Sequence, residues 1–297
     1  MRYLFFLFIC MMLTATSMAQ DSTFYQNVEW SPNGKMFCTE AIIKQGRGVR
    51  FESYIINISG ATIEKTVPGT VFPSWSPDGK YIAYSKLTGI KNGSDIWMMD
   101  VKTGDTTQLT NVPSRNTGVS FAPDGKRICF SSDRDGRQNV YVMNIDGSGL
   151  QKITTDTFKY YNPVWSPAGE KIVYYRERGD GHDKVCVTDL INKQEILVTN
   201  DTMHNIYPGW NPNGKAVIYA ACYAAPHDET GRLIAQINIS DNSKKFFPVT
   251  ANAFFARISA NGKKLAFIKG GFPKTDIYIA DIDGKNVQCV TCGLKRQ

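Results

Sequence analysis

One seven-residue phrase recurs along the chain, and that recurrence restricts the fold more than any other feature. The copies are Glu29-Trp30-Ser31-Pro32-Asn33-Gly34-Lys35, Ser74-Trp75-Ser76-Pro77-Asp78-Gly79-Lys80 and Ser120-Phe121-Ala122-Pro123-Asp124-Gly125-Lys126. Val164-Trp165-Ser166-Pro167-Ala168-Gly169-Glu170, Gly209-Trp210-Asn211-Pro212-Asn213-Gly214-Lys215 and the weaker Arg257-Ile258-Ser259-Ala260-Asn261-Gly262-Lys263 complete the set. The shared glycines stand at 34, 79, 125, 169, 214 and 262, so the steps are 45, 46, 44, 45 and 48 residues. A period in the forties suits a four-stranded propeller blade.

The chemistry within each copy agrees. Pro-Asp-Gly and Pro-Asn-Gly are turns, because proline presets φ while Asn and Gly tolerate positive φ. Short β-branched and aromatic runs follow, such as Tyr81-Ile82-Ala83-Tyr84 and Lys171-Ile172-Val173-Tyr174, and these have strand length and strand composition. A third strand (Asp95 to Asp100, Asp276 to Asp281), a second turn (Asp146-Gly147, Asp283-Gly284) and a fourth strand ending in Leu109-Thr110 or Val290-Thr291 close each repeat. We label the four strands A to D. No segment carries a long helical period. The expected fold is therefore all-β: a six-bladed β-propeller with four antiparallel strands per blade. The strand A tryptophan is expected in the core between blades. Contiguous blades leave the ring to close through side chains between blades 6 and 1.

Arg2, an apolar run from Leu4 to Leu13 and the small-x-small site Ser17-Met18-Ala19 read as a secretory signal peptide. The run is too short to span a bilayer of about 30 Å as a helix. Cys10 lies inside it and follows Ile9, which does not suit lipidation. The expected organisation is a signal peptide over residues 1–19 and one propeller domain over residues 20–297, periplasmic or secreted, with no transmembrane segment after cleavage. The net charge of +7 is scattered without a like-charge block, which argues against a nucleic-acid partner.

The Trp75-Ser76-Pro77-Asp78-Gly79-Lys80-Tyr81-Ile82-Ala83-Tyr84 pattern, the Ile277-Tyr278-Ile279-Ala280-Asp281 strand and the closing Leu109-Thr110 resemble the repeat of the TolB-like β-propeller family. The resemblance implies a six-bladed propeller, often periplasmic, that docks proteins or sits beside another domain. TolB carries an α/β domain ahead of its propeller. Roughly ten residues separate the leader from blade 1 here, and that domain is not expected. Related propellers accompany peptidase domains and form oligogalacturonate lyases, so the repeat alone does not assign a function.

Two faces are distinguishable. The A-to-B and C-to-D connections are tight turns. The D-to-A and B-to-C connections are longer, and the first of these carry Phe72, Arg115, Tyr160, Tyr161, Tyr207, Phe254, Phe255 and Arg257. Aromatics with arginine at a channel mouth suit a partner's anchor residues or sugar rings. No nucleophile elbow, zincin motif or P-loop is present. His182, His204 and His227 fall on the same face beside Asp183, Asp228 and Glu229, which is a candidate divalent-metal set. Asp133-Arg134-Asp135-Gly136 lacks the remaining ligands of a calcium loop and reads as a turn. Cys38 and Cys129 occupy the small-residue slot of strand B, as Ala83 and Ala266 do. Cys289 and Cys292 are spaced to close a small disulfide loop in an exported chain. The favoured function is a non-enzymatic binding module, without a cofactor, for an envelope or periplasmic protein or an envelope glycan. The alternative is a metal-dependent carbohydrate-active enzyme resembling oligogalacturonate lyases.

Overall fold

The computed structural model describes residues 22–46, 48–88, 93–180, 182–222, 231–271 and 274–294. The leader read over residues 1–19 lies outside them. The repeated phrase folds as a self-contained turn. In blade 2, Ser76 Oγ donates to Asp78 Oδ1 (2.7 Å) and accepts the Tyr81 N–H (2.8 Å). Asp78 Oδ1 also accepts the Lys80 N–H at 3.0 Å. That bond, first among several, holds the Asp78 carboxyl below its usual range. Ser31 with Asn33 and Ser259 with Asn261 repeat the pattern. The turn glycine has positive φ, where a side chain is strained, and in blades 2 to 5 it sits against the turn proline of the preceding blade. Gly169 (φ +77°) is the tightest case, since a Cβ there would meet Pro123 Cγ at 3.1 Å.

Each turn launches an antiparallel sheet. Blade 1 holds β1 (Thr23–Tyr25), β2 (Glu29–Trp30), β3 (Met36–Gln45), β4 (Gly48–Asn57) and β5 (Thr62–Pro68); blade 2 holds β6 (Thr70–Trp75), β7 (Tyr81–Leu87), β8 (Ser94–Asp100) and β9 (Thr106–Gln108). Blade 3 is β10 (Asn116–Phe121), β11 (Arg127–Ser132), β12 (Asn139–Asn144) and β13 (Gln151–Lys152); blade 4 is β14 (Lys159–Trp165), β15 (Lys171–Glu177), β16 (Lys184–Asp189) and β17 (Gln194–Leu197). Blade 5 is β18 (His204–Trp210), β19 (Ala216–Cys222), β20 (Arg232–Asn238) and β21 (Lys244–Phe247); blade 6 is β22 (Ala253–Ile258), β23 (Lys264–Gly271), β24 (Lys274–Asp281) and β25 (Gln288–Cys289). Strand order within each sheet follows chain order. Blade 1 differs in that its A strand is split, with β1 and β2 both pairing β3. Among the described residues there is no α-helix.

The closing threonine of strand D has a defined task. Its hydroxyl accepts a strand C backbone N–H in five blades: Thr110 from Ile96, Thr154 from Val140, Thr199 from Val185, Thr250 from Ile234 and Thr291 from Ile277. It thus satisfies a buried donor that the short outer strand does not reach.

The core lies between blades. Ala83 and Ile96 of blade 2 pack with Phe121, Ile128 and Phe130 of blade 3, and the strand A side chain (the rings of Trp75, Phe121, Trp165 and Trp210, and the aliphatic Ile258) belongs to such an inter-blade cluster each time. Trp210 Nε1 donates to Val164 O of the preceding blade at 3.0 Å. Removing a ring of this kind costs about 3–5 kcal/mol, so these positions are structural.

Among the described residues no strand pairs blade 6 with blade 1. Side chains close the ring. Arg257 Nε meets Glu29 Oε1 at 2.7 Å, Trp30 Nε1 donates to Arg257 O at 3.0 Å, and Thr275 Oγ1 donates to Tyr25 O at 2.8 Å. Phe24 stacks on Phe254 with centroids 5.7 Å apart.

Candidate functional site

The inner strands do not run straight beside the channel. Register shifts fall between Val71 and Ser74, Thr117 and Ser120, Tyr161 and Val164, and Ile206 and Gly209. The first residue of each bulge has positive φ: Phe72 (+52°), Gly118 (+65°), Asn162 (+50°) and Tyr207 (+53°). For Phe and Tyr this conformation costs on the order of 1–2 kcal/mol. Prolines follow three of the four (Pro73, Pro163, Pro208), and a bulge tolerates their missing N–H. The bulge directs its first side chain along the ring toward the next blade. A Cβ on Gly118 would lie 3.2 Å from Asn162 Cα, and Tyr207 meets Phe255 at 5.5 Å between centroids.

Aromatic rings consequently meet one another from blade to blade along the inner strands. Tyr161 stacks on Tyr175 (5.5 Å), Tyr175 meets Tyr207 edge-on (6.1 Å), and the Arg257 guanidinium lies 4.2 Å from the Phe255 centroid. This chain of rings crosses blades 4, 5 and 6. Tyr175 escaped the sequence reading because it sits inside strand B. It belongs to a column two residues beyond the small-residue slot, occupied in turn by Glu40, Ser85, Ser131, Tyr175, Ala220 and Ile268. Aligning strand B across the repeats exposes that column, which is polar in blades 1 to 3.

Glu40 is its one carboxyl member. It is 1% exposed, and its Oε2 accepts the N–H of the bulged Phe72 at 3.2 Å. Burial pushes its carboxyl up to about 8, against the Phe72 bond and the charge of Arg115. Burial likewise pushes Tyr207 up to about 12, opposed by a hydrogen bond with Gln26 and by Arg232, with Glu40 acting in the same direction as burial. Burial raises the Tyr161 phenol too, aided by Glu177 and opposed by Arg115. Arg115 thus acts on both Glu40 and Tyr161, so residues of blades 1, 3, 4 and 5 share one electrostatic environment.

The structure places the eight sequence-read binding residues differently from the loops in which the spacing put most of them. Phe72 lies in β6, Tyr160 and Tyr161 in β14, Tyr207 in β18, and Phe254, Phe255 and Arg257 in β22. Arg115 immediately precedes β10. The inner strands start earlier than the repeated phrase suggests. Phe72, Arg115 and Tyr161 are half-buried, whereas Tyr160 (1%), Tyr207 (6%), Phe254 (5%), Phe255 (2%) and Arg257 (8%) are buried. Tyr160 donates to Asp156 Oδ2 at 2.5 Å and packs edge-on against Tyr174, which is inter-blade core.

Of the three histidines, His227 lies outside the described residues. His182 is exposed, 3.7 Å from Asp180 Oδ1. His204 is buried with Nδ1 3.2 Å from Asp183 Oδ2. That approach is short enough for an ion pair but is not aligned as a hydrogen bond. His182 and His204 form no group with a third ligand among the described residues. Asp276, Cys289 and Cys292 do cluster, but the two sulfurs are joined as a disulfide and do not present thiolates to a metal. Asp133 and Asp135 bind inward, to the Arg115 N–H and the Tyr141 hydroxyl respectively. A depression lined by Pro77, Asp78, Pro123 and Asp124 lies on the opposite, tight-turn face, away from the channel residues.

Six four-stranded antiparallel modules, closed into a ring by side chains, define a six-bladed β-propeller. The chain belongs to the TolB beta propeller domain family, whose profile matches residues 28–254. An uncharacterized protein of Agrobacterium fabrum is 32% identical over 157 residues, covering 52% of this chain and 51% of that one. The Tol-Pal system protein TolB of Francisella tularensis is 38% identical over 84 residues, 28% of this chain and 19% of that one. Among solved structures, TolB from Acinetobacter baumannii superimposes with a TM-score of 0.65 at 19% identity, over 94% of this chain and 66% of that one. The chain thus spans about half of the first relative and about two thirds of the solved TolB, and at this identity the latter likeness shows the fold alone.

Proposed function

We propose that this chain is an exported, non-enzymatic binding module that receives an envelope or periplasmic protein at the channel mouth where the inner strands begin. The observation that carries this reading is the contiguous wall Tyr161–Tyr175–Tyr207–Phe255 facing Glu40 and Arg115. Tyrosine and arginine dominate protein-binding hot spots because each joins apolar area to a polar tip. The buried rings hold the wall rigid, while half-buried Tyr161, Arg115 and Phe72 offer contact surface. The Tol-Pal membership of a relative fits a protein partner better than a glycan. Among the described residues no helix is long and apolar enough to cross a membrane.

The test uses Tyr161→Ala and Arg115→Ala together, since neither is a core residue. Capture of a partner from an envelope extract, identified by mass spectrometry, should fall at least tenfold while the thermal midpoint moves little. Undiminished capture by the double variant would place the binding surface elsewhere.

A further inference from the structure

The last turn of the chain carries a feature that the binding role leaves unused. β25 ends at Cys289, and Cys289-Val290-Thr291-Cys292 is closed by the disulfide. Cys292 is exposed and Cys289 half-buried. The other described cysteines, Cys38, Cys129, Cys186 and Cys222, are buried and form no disulfide. The Cys292 N–H donates to Cys289 Sγ at 3.0 Å. A carboxylate oxygen of Asp276 lies within 4.8 Å of both sulfurs.

Comparison with blade 2 shows how this arises. There Thr110 Oγ1 donates to Asp95 Oδ1 (2.9 Å) and Gln108 Nε2 donates to Asp95 Oδ2 (3.2 Å). In blade 6 Thr291 Oγ1 donates to Asp276 Oδ1 (2.9 Å) in the same way, but Cys289 stands where blade 2 has Gln108. The Asp276 carboxylate therefore has sulfur, not a side-chain amide, as its strand D neighbour, and exposed Lys274 Nζ lies 3.7 Å from Asp276 Oδ2.

We propose that Cys289–Cys292 is a thiol–disulfide exchange site, opened by attack of a small thiolate on the exposed sulfur of Cys292. The attacking thiolate forms a bond to Cys292 Sγ as the Cys289–Cys292 bond breaks. The electron pair leaves with Cys289, beside the N–H of Cys292, and hydrogen bonding to that N–H favours the thiolate. A second thiol displaces Cys292 from the mixed disulfide. Two thiols are then oxidised to one disulfide, the protein pair is reduced to a dithiol, and the protons pass from the former to the latter. In the closing direction Asp276 is the base beside the pair and takes the proton from the Cys289 thiol as that sulfur attacks the mixed disulfide on Cys292. The site concerns blade 6 alone and does not depend on the channel reading.

The experiment incubates the folded full chain with reduced glutathione, quenches with acid, and maps modified peptides by mass spectrometry. Expected is opening in native buffer, with unchanged circular dichroism and glutathione on Cys292 in preference to Cys289. C289S should form a mixed disulfide with oxidised glutathione at least tenfold faster than C292S. D276N, which keeps an acceptor for Thr291, should slow reclosure of the dithiol about tenfold. A wild-type disulfide that resists glutathione until urea unfolds the protein would overturn the proposal, as would glutathione mapping mainly to Cys289. The wild-type measurements decide the matter even where a cysteine variant folds poorly.

Discussion

Glu40 shows how one residue reports on the channel. Its neighbours in the same column are Ser85, Ser131, Tyr175, Ala220 and Ile268, so the repeat does not demand a carboxylate there. Burial raises it to about 8 from an ordinary 4.5. Between these values the native state holds a proton that the unfolded state has lost, so stability falls as pH rises through the window. Below about pH 4.5 both states are protonated and the penalty vanishes; above about pH 8 it is complete. Each pH unit inside the window is worth about 1.4 kcal/mol. We expect the urea midpoint of the wild type to fall from pH 5 to pH 8, and E40Q, which keeps an acceptor for the Phe72 N–H, to lose most of that slope. Parallel profiles for the two proteins would show that Glu40 is ionised in the fold. The carboxylate was legible as a residue, but its environment was not, because Phe72 and Arg115 reach it from other blades.

At the scale of the element, the closing threonine gives the clearest test. Thr199 is buried and accepts the Val185 N–H at 3.0 Å. Thr199→Val keeps the shape and removes the acceptor. A buried donor left unsatisfied costs about 1–3 kcal/mol, so T199V should lower unfolding free energy by that amount, and amide exchange of Val185 should accelerate beyond its neighbours. Four strands per blade, the turn chemistry and this threonine were readable because each depends on contacts within one repeat. The starts of the inner strands were not, and most of the candidate aromatics were therefore assigned to loops. A bulge with Pro73, Pro163 or Pro208 in it reads as a strand break in one dimension, whereas in the sheet it shifts the register and the strand continues.

For the molecule as a whole, the seam between blades 6 and 1 is held by side chains, with polar bonds of Arg257 and Trp30 laid over an apolar cluster that the two blades share. Arg257 bonds Glu29, stacks on Phe255 and packs over Gly209. Removing one partner of a buried ion pair costs about 3–5 kcal/mol; Glu29 is partly exposed, which screens it, so R257A should cost roughly 2–3 kcal/mol. Hydrogen exchange should show β1, β2 and β22 opening first. Uniform loss of protection around the ring would mean that the seam is no weaker than the other blade interfaces.

The sequence by itself determined the module, its number and its internal turn chemistry, since hydrogen bonds such as Ser76 to Tyr81 span five residues and repeat with the period. Only the tertiary structure decided which aromatics are buried in the core and which stay half-buried, and that Arg115 acts on both Glu40 and Tyr161. Those relations join residues from different blades, and they depend on bulges and ring closure, which no local pattern encodes.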